Sequence, residues 1–483
     1  MSHLLSPLGV TAKSAVLLFS SRLSQYAVPR RIAGYCIHHG PHYATNNRRW
    51  HNVSAGFLHQ GRRYAITPKK PSITPEVSAT PEKTPNISDK TSGPLHILFC
   101  GSDDFSCASL KALHDEHIRN PDLIQSIEVV VRPGKRIGRG YKVVRDPPIH
   151  SLAESLGLQI HERDTFTGWN MPSKTNLIIA VSFGLFVPPR LLRGAKYGGL
   201  NLHPSLLPDL RGPAPLHHTL LSGRTLTGVS LQTLDHTAFD HGAVLAQTPS
   251  DPASGAAVQI PPTCTTVAAL EALITPIAAE MLVHGLRSGL HVPPYTSVAA
   301  APSDESALTH APKITKEWQQ LTPALLLACS QETPTPSTRG LLARRQDAIG
   351  PLWFFTRDRQ GRQKRVLIDA IEELPDLPPS NRPPILAPAS RWKINRDDKR
   401  RFYIPFERRQ RTLQERDDPA SNLPREDLVF WVPRQRAPGN ATGGGDDDAL
   451  YLGNYRVLSL KVEGSKAKPA RQALQNFFID HDH

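Results

Sequence analysis

Two closely spaced apolar runs set the frame of this chain. Thr175-Asn-Leu-Ile-Ile-Ala-Val-Ser182 reads as a buried strand, and Gly199-Leu-Asn-Leu-His203 reads as a shorter one behind it. Residues two apart on a strand share a face, so Asn201 and His203 point the same way. Pro204 and Pro208 stop regular pairing just beyond them. In an open parallel sheet, ligands sit where a strand ends. The stretch Asn201–Pro215 is therefore a candidate active site.

What precedes it has the alternation of a doubly wound α/β fold. Leu95-His-Ile-Leu-Phe-Cys-Gly-Ser-Asp-Asp-Phe105 is a strand ending in a glycine turn, with Asp103 or Asp104 placed to cap a helix through Ser109–Leu113. It contains no GxGxxG and so offers no dinucleotide fingerprint. A β-branched strand over Ile127–Arg132, a helix over Pro147–Leu158 and a strand over Leu158–His161 continue the pattern. Strands alternating with helices imply a mostly parallel sheet. After the candidate site, the spacing predicts a helix over Leu216–Leu221, strands over Gly228–Leu234 and Ala243–Gln247, and a closing amphipathic helix over Thr266–Leu286. The polar loop between those strands, Asp235-His-Thr-Ala-Phe-Asp-His-Gly242, brings Asp235 or Asp240 to a strand edge.

The flanks differ in character. Residues 1–75 contain no acid, the first being Glu76, yet they carry ten Lys and Arg residues with many Ser and Ala. That composition, with Val16-Leu-Leu-Phe19 among the early charges, is expected of an organellar transit peptide rather than a simple basic tail, and residues 1–75 are read as that segment. Residues 76–94 read as linker, 95–290 as the α/β domain and 291–310 as a second linker. Residues 311–483 read as a smaller domain. Its short strands, at 365–369, 401–405, 428–432 and 455–462, are separated by Pro-rich and charged insertions and suggest a small β-barrel. The five cysteines form no CxxC pair. A reducing compartment is the default, with Cys100 and Cys107 as core residues. No apolar run reaches the ~20 residues that span a bilayer.

An Asn, a His and an Asp meeting at a sheet edge, with no cysteine among them, suit attack by an external nucleophile on an acyl carbon. A side-chain amide can donate to the developing oxyanion, an imidazole can move a proton, and a carboxylate can orient the imidazole. Ser205 adjoins His203 but lacks the GxSxG elbow of a serine nucleophile. His217, His218, His236 and His241 lie near in sequence, and a metal set of His203, Asp235 and His241 is conceivable without metal-ligand spacing. The net charge of +14 favours anionic partners. Its densest stretch is the loop Arg132-Pro-Gly-Lys-Arg-Ile-Gly-Arg-Gly-Tyr-Lys-Val-Val-Arg145, where Arg132, Lys135, Arg136, Arg139, Lys142 and Arg145 stand without an acid. A solvated surface loop is the bland reading; single-sign charge on a pliable loop suits a clamp on a phosphate backbone.

The motif Asn201-Leu-His-Pro-Ser-Leu-Leu-Pro208, followed by Arg211-Gly-Pro-Ala-Pro215, resembles the formyltetrahydrofolate-dependent formyltransferase family. Thr227-Gly-Val, Asp235 and Asp240-His-Gly242 are similar to the same family, as is the turn Phe99–Phe105. The resemblance is strong over 95–290, patchy over 310–483 and absent before 90. It implies a Rossmann-like transferase domain followed by a small OB-like barrel, with Asn201, His203 and Asp240 as the catalytic trio. It further implies that Ser205, Leu206, Leu207 and Pro208, with Phe183, Gly184, Leu185 and Val187, bind 10-formyltetrahydrofolate without a metal. Within the family the chain looks most like the organellar branch acting on initiator methionyl-tRNA. The loop carrying Arg132, Lys135, Arg136, Arg139 and Lys142 is then expected to contact tRNA in the mitochondrial matrix. A monomer with no membrane partner is expected. A formyltransferase of a small amine, a hydrolase of the formyl donor and a non-catalytic RNA-binding assembly protein are the alternatives. Asp209, where a basic residue is common, and His241, where a small hydroxyl residue is usual, depart from the pattern.

Overall fold

The computed structural model describes residues 92–138, 140–248, 258–299, 305–331, 340–374, 385–388, 401–406, 426–432 and 449–477. The expected transit segment, most of the 76–94 linker and Arg139 lie outside them.

The α/β region is built from β1 (Leu95–Gly101), α1 (Asp104–Arg119), β2 (Ile124–Val131), β3 (Lys135–Ile137), β4 (Val143–Arg145), α2 (Pro148–Ser155), β5 (Gln159–Glu162), β6 (Leu177–Val181), α3 (Pro189–Gly194), β7 (Gly199–His203), α4 (Pro215–Leu221), β8 (Leu226–Thr227), β9 (Ser230–Thr233), β10 (Val244–Gln247), β11 (Val258–Gln259) and α5 (Val267–Arg287). Seven strands form one sheet in the order β10-β9-β7-β6-β1-β2-β5. The pairs from β7 to β5 are parallel. β9 turns back antiparallel to β7, and β10 antiparallel to β9. The chain first builds outward from β1 through β2 and β5, then crosses to β6 and β7 on the other side. The switch point therefore lies between β1 and β6, where ligands of such sheets bind.

The strand periodicity sorts the core into two layers. Ile97, Phe99, Leu177, Ile179 and Val181 face one apolar cluster, while Leu98, Cys100, Ile178 and Ala180 face the other. All five residues of β6 are buried, which is why that segment reads as a continuous apolar run. Helix α1 begins because the Asp103 carboxylate accepts from the Ser106 N–H at 3.0 Å. It ends against α5 through a buried charge: Glu116, with no exposed surface, accepts from Arg287 Nε at 2.9 Å and from its Nη2. Helix α5 is capped by Thr266 Oγ1, which accepts from Ala269 N. By length and composition it could cross a membrane; here Leu270, Ile274, Ala278, Leu282 and Leu286, about one turn apart, are buried in the sheet's core. Cys100 is buried in β1 and Cys107 half-buried on α1. Burial pushes both thiols up, Cys107 to about 11.

Residues 136–144 fall in a different unit from the other described residues. Gly138, Gly140 and Tyr141 take positive φ there, and Tyr141, Val143 and Val144 are more than half exposed. β3 pairs with β4.

Residues 291–310, expected as linker, lie against the α/β domain where they are described. Val298 N donates to Val244 O at 2.8 Å, and Tyr295 Oη donates to Tyr197 O at 3.1 Å. Beyond them come α6 (Pro323–Gln331), α7 (Leu341–Ile349), β12 (Trp353–Arg357), β13 (Gln363–Glu373), β14 (Leu386–Pro388), β15 (Arg401–Phe406), β16 (Glu426–Trp431), β17 (Leu450–Leu452), β18 (Tyr455–Val462), β19 (Lys468–Pro469) and α8 (Ala470–Leu474). The strands form a curled, wholly antiparallel sheet, consistent with the expected small barrel. Its core centres on Phe354, Ile368, Phe430 and Tyr455, all fully buried. The sequence reading missed α7 and β12.

Candidate active site

Asn201 and His203 stand on one face of β7, as the alternation requires. Their direct cross-strand partners on β9 are Gln232 and Ser230. This four-residue block ends where β7 meets the turn Pro204–Pro208. Asp240 reaches it from the loop after β9, in a left-handed conformation with φ of 59°. Its Oδ1 accepts from Asn201 Nδ2 at 3.2 Å and from Gln232 Nε2 at 3.1 Å, and lies 3.4 Å from His203 Nδ1. Its Oδ2 accepts from the Gly212 N–H at 2.9 Å. Arg211 Nε donates to the Asp240 carbonyl at 3.0 Å. Only 7% of the His203 side chain and 9% of the Asp240 side chain are exposed, so solvent screens this pair weakly. His203 Nε2 lies 3.1 Å from Leu210 O. Each imidazole nitrogen thus faces an acceptor.

Asp235 is spent locally. It accepts from Thr237 Oγ1 at 2.6 Å and from the Thr237 and Ala238 N–H groups. The Thr237 hydroxyl first, then these amides, holds its carboxyl down to about 2. Of the two acids the sequence left open, Asp240 is the one at the site. The nearby histidines also separate. His218 is buried, with Nε2 3.0 Å from Pro312 O and its ring edge-on to Trp318; burial lowers its pKa. His236 and His241 are exposed. Among the described residues no group of three or more His, Cys, Asp or Glu could hold a metal.

The turn Ser205–Pro208 is fastened from β9 and β10. Ser230 Oγ donates to Ser205 O at 2.7 Å and accepts from Leu207 N at 3.0 Å, while Gln247 Nε2 donates to Ser230 Oγ and Leu207 O, each at 2.8 Å. Leu206 packs against Gly228, where a Cβ would lie 2.4 Å from its Cδ2. On the neighbouring strand end, Phe183 and Val187 are buried, Leu185 and Phe186 half-buried, and Gly184 exposed at φ of 74°. Ser102 Oγ donates to Phe183 O at 3.4 Å, joining the loops after β1 and β6 across the switch point. Phe186 meets the exposed Phe239 edge-on, with ring centroids 5.3 Å apart.

The sequence reading missed Ser230, Gln232 and Gln247. Once β9 is laid antiparallel on β7, period-two counting from Asn201 finds the first two. The departure at Asp209 has a local explanation, because its carboxylate pairs with Arg224 and accepts from the Leu210 and Thr309 N–H groups. In the basic loop, Arg132 is engaged by Asp164 at 3.0 Å. Lys135, Arg136, Lys142 and Arg145 are exposed and form no ion pair among the described residues.

Residues 95–253 match the formyl transferase family. A mitochondrial methionyl-tRNA formyltransferase of Saccharomyces cerevisiae is 40% identical over 175 residues, covering 32% of this chain and 43% of that protein. A methionyl-tRNA formyltransferase of Ehrlichia ruminantium (strain Gardel) is 35% identical over 164 residues, covering 32% and 50%. The mitochondrial methionyl-tRNA formyltransferase of Homo sapiens is 32% identical over 236 residues, covering 47% and 54%. The chain spans about half the length of the curated relatives it matches. Asn201, His203, Asp240 and the residues that hydrogen-bond them fall inside residues 95–253, the segment that matches the formyl transferase family.

Proposed function

We propose that this chain moves the formyl group of 10-formyltetrahydrofolate onto the α-amine of initiator methionyl-tRNA in the mitochondrial matrix. The observation that carries the reading is the convergence of Asn201, His203 and Asp240 at one strand end of a formyl transferase domain. The names of the relatives support the acceptor and the organelle. The exposed cations at Lys135, Arg136 and Lys142 suit a phosphate backbone.

In this reading the neutral amine forms a bond to the formyl carbon, and the carbonyl electron pair moves onto oxygen. The Asn201 amide carries two N–H groups; one holds Asp240, and the other serves the oxyanion. His203, with Nδ1 beside Asp240, exchanges the Leu210 carbonyl for the amine at Nε2, takes its proton there and delivers it to N10 as the carbonyl re-forms and the C–N10 bond breaks. Asp240 keeps both side chains in register through its four contacts. The folate lies along Phe183–Val187 and the Ser205–Pro208 turn, between the two strand ends.

The test supplies purified protein with labelled 10-formyltetrahydrofolate and, separately, methionyl-initiator tRNA, a small primary amine or buffer alone. Label should pass to methionyl-tRNA, and alanine at Lys135, Arg136 and Lys142 should raise the tRNA KM and weaken its salt dependence. Equal transfer to the small amine, or release of formate at a rate indifferent to tRNA, would replace this reading with a small-substrate transferase or a hydrolase. No transfer to any acceptor would favour a non-catalytic RNA-binding role.

A further inference from the structure

The loop that holds the trio has a second edge. Residues 209–214 contact His203 and Asp240 on one side, through Leu210 O, Gly212 N and Arg211 Nε. On the other side they pair with the chain entering the C-terminal domain. Leu210 N donates to Thr309 O at 2.7 Å, Ala311 N donates to Arg211 O at 2.8 Å, and Ala214 N donates to Ala311 O at 3.2 Å. Arg211 and His310 form a parallel bridge. The approach is close: a Cβ at Gly212 would lie 2.6 Å from Ala311 O. Asp209 fastens the crossing. Its Oδ1 accepts from Thr309 N at 2.8 Å and Leu210 N at 3.0 Å, and its Oδ2 pairs with Arg224, whose Nη2 reaches Thr309 Oγ1 at 3.3 Å.

We infer that Thr309–Pro312 is a positioning element of the transfer centre, and that Asp209 is the residue that locks it in place. Leu210, whose carbonyl meets His203 Nε2, has its own N–H bonded to Thr309 O. The glycine whose N–H holds Asp240 lies against the Ala311 backbone. Displacing the junction therefore displaces both groups that orient the trio. A few residues on, Trp318 packs edge-on against His218, and its carbonyl accepts from Arg345 Nε of α7 at 2.6 Å. Movement of the C-terminal domain thus reaches the trio through backbone hydrogen bonds. The alignment argument rests on the proposed function for its chemistry, but not for its geometry.

The test uses the full chain with Asp209→Ala, Asp209→Asn, Arg224→Ala and, as a destabilised control remote from the loop, Glu116→Gln. Two readouts are taken: kcat and KM for formyl transfer, and the imidazole ¹⁵N shifts of His203 in protein free of folate and tRNA. Asp209→Ala should lower kcat by about ten- to a hundredfold with little change in donor KM, as misplacement of reacting groups does, and should move the His203 signals. Asp209→Asn keeps an Oδ1 acceptor and should recover most of both; Arg224→Ala should fall between. Glu116→Gln should lower the melting temperature while kcat and the imidazole signals stay put. If Asp209→Ala and Arg224→Ala leave the His203 signals unmoved and lose activity only in step with folded protein, the inference is overturned. Absence of methionyl-tRNA formylation by the unaltered chain would sink the proposed function instead, and the imidazole shifts would still decide the positioning role.

Discussion

Replacing Asp240 by asparagine keeps the shape of the side chain and changes its hydrogen-bonding logic. The carboxylate accepts from Asn201 and Gln232 at Oδ1 and from the Gly212 N–H at Oδ2. Asparagine can keep its oxygen toward the two amides, but its NH₂ group then faces the Gly212 N–H. Leaving that donor unpartnered costs roughly 1–3 kcal/mol of stability. The larger effect is on the reaction. His203 Nδ1 lies 3.4 Å from Asp240 Oδ1 in a nearly dry setting. A positive charge developing on the imidazole at that distance gains about 5 kcal/mol from the carboxylate at an effective dielectric constant of about 20. Allowing for relaxation and residual water, about 3–4 kcal/mol of transition-state stabilisation is lost, a roughly 10²- to 10³-fold fall in kcat. The assay is initial-rate formyl transfer with both substrates saturating, beside donor binding by calorimetry to confirm an intact pocket. A variant that binds donor normally and keeps more than about a tenth of wild-type kcat would refute the charge argument.

Three further outcomes follow from the packing. Gly242→Ala places a Cβ 1.7 Å from Thr233 O, so the Asp240 loop must shift; thermal unfolding should show a loss of about 3 kcal/mol or more. Ser230→Ala removes the hydroxyl that joins Ser205, Leu207 and Gln247; at about 1 kcal/mol per hydrogen bond, donor Kd should rise at least about tenfold in a binding titration. Glu116→Gln weakens the link between α1 and α5. Hydrogen bonding from Arg287 holds the Glu116 carboxyl below its ordinary value of 4.5. Its stabilisation is therefore complete above that value and is lost as pH falls through the lower folded one. The variant should be less stable at neutral pH by about 2 kcal/mol and show a flatter acid limb in denaturant titrations.

The parts of this fold that were legible in the sequence rest on local rules. The β1–turn–α1 unit follows from an apolar run, a glycine turn and the Asp103 cap. The shared face of Asn201 and His203 follows from the strand period, and α5 from its capping threonine and four-residue spacing. Strand spacing alone left Asp235 and Asp240 unresolved because both sit in one loop between strands, and only the family resemblance pointed to Asp240. What separates them is where the loop spends its hydrogen bonds: Thr237 and Ala238 consume Asp235, and the left-handed turn at Asp240 aims the other acid inward. Gln232 was hidden because its place depends on the β7–β9 register, which is non-local. Thr309–Ala311 was hidden for a related reason. Thr309 and His310 read as the end of a linker and Ala311 as the start of the next domain, and only the backbone pairing with 210–214, about a hundred residues earlier in sequence, gives them a place. In the C-terminal domain, Pro-rich and charged insertions masked the periodicity that would have marked α7 and β12.

The central claim, that Asn201, His203 and Asp240 form the formyl-transfer centre for methionyl-tRNA, is tested most directly by single-turnover transfer from labelled 10-formyltetrahydrofolate. Wild-type chain and His203→Ala are compared at equal occupancy by tRNA, fixed by a parallel binding measurement. The account predicts matched tRNA affinity and a transfer step slowed by at least about a hundredfold in the variant. Transfer at the wild-type rate by His203→Ala, with tRNA bound equally well, would contradict it.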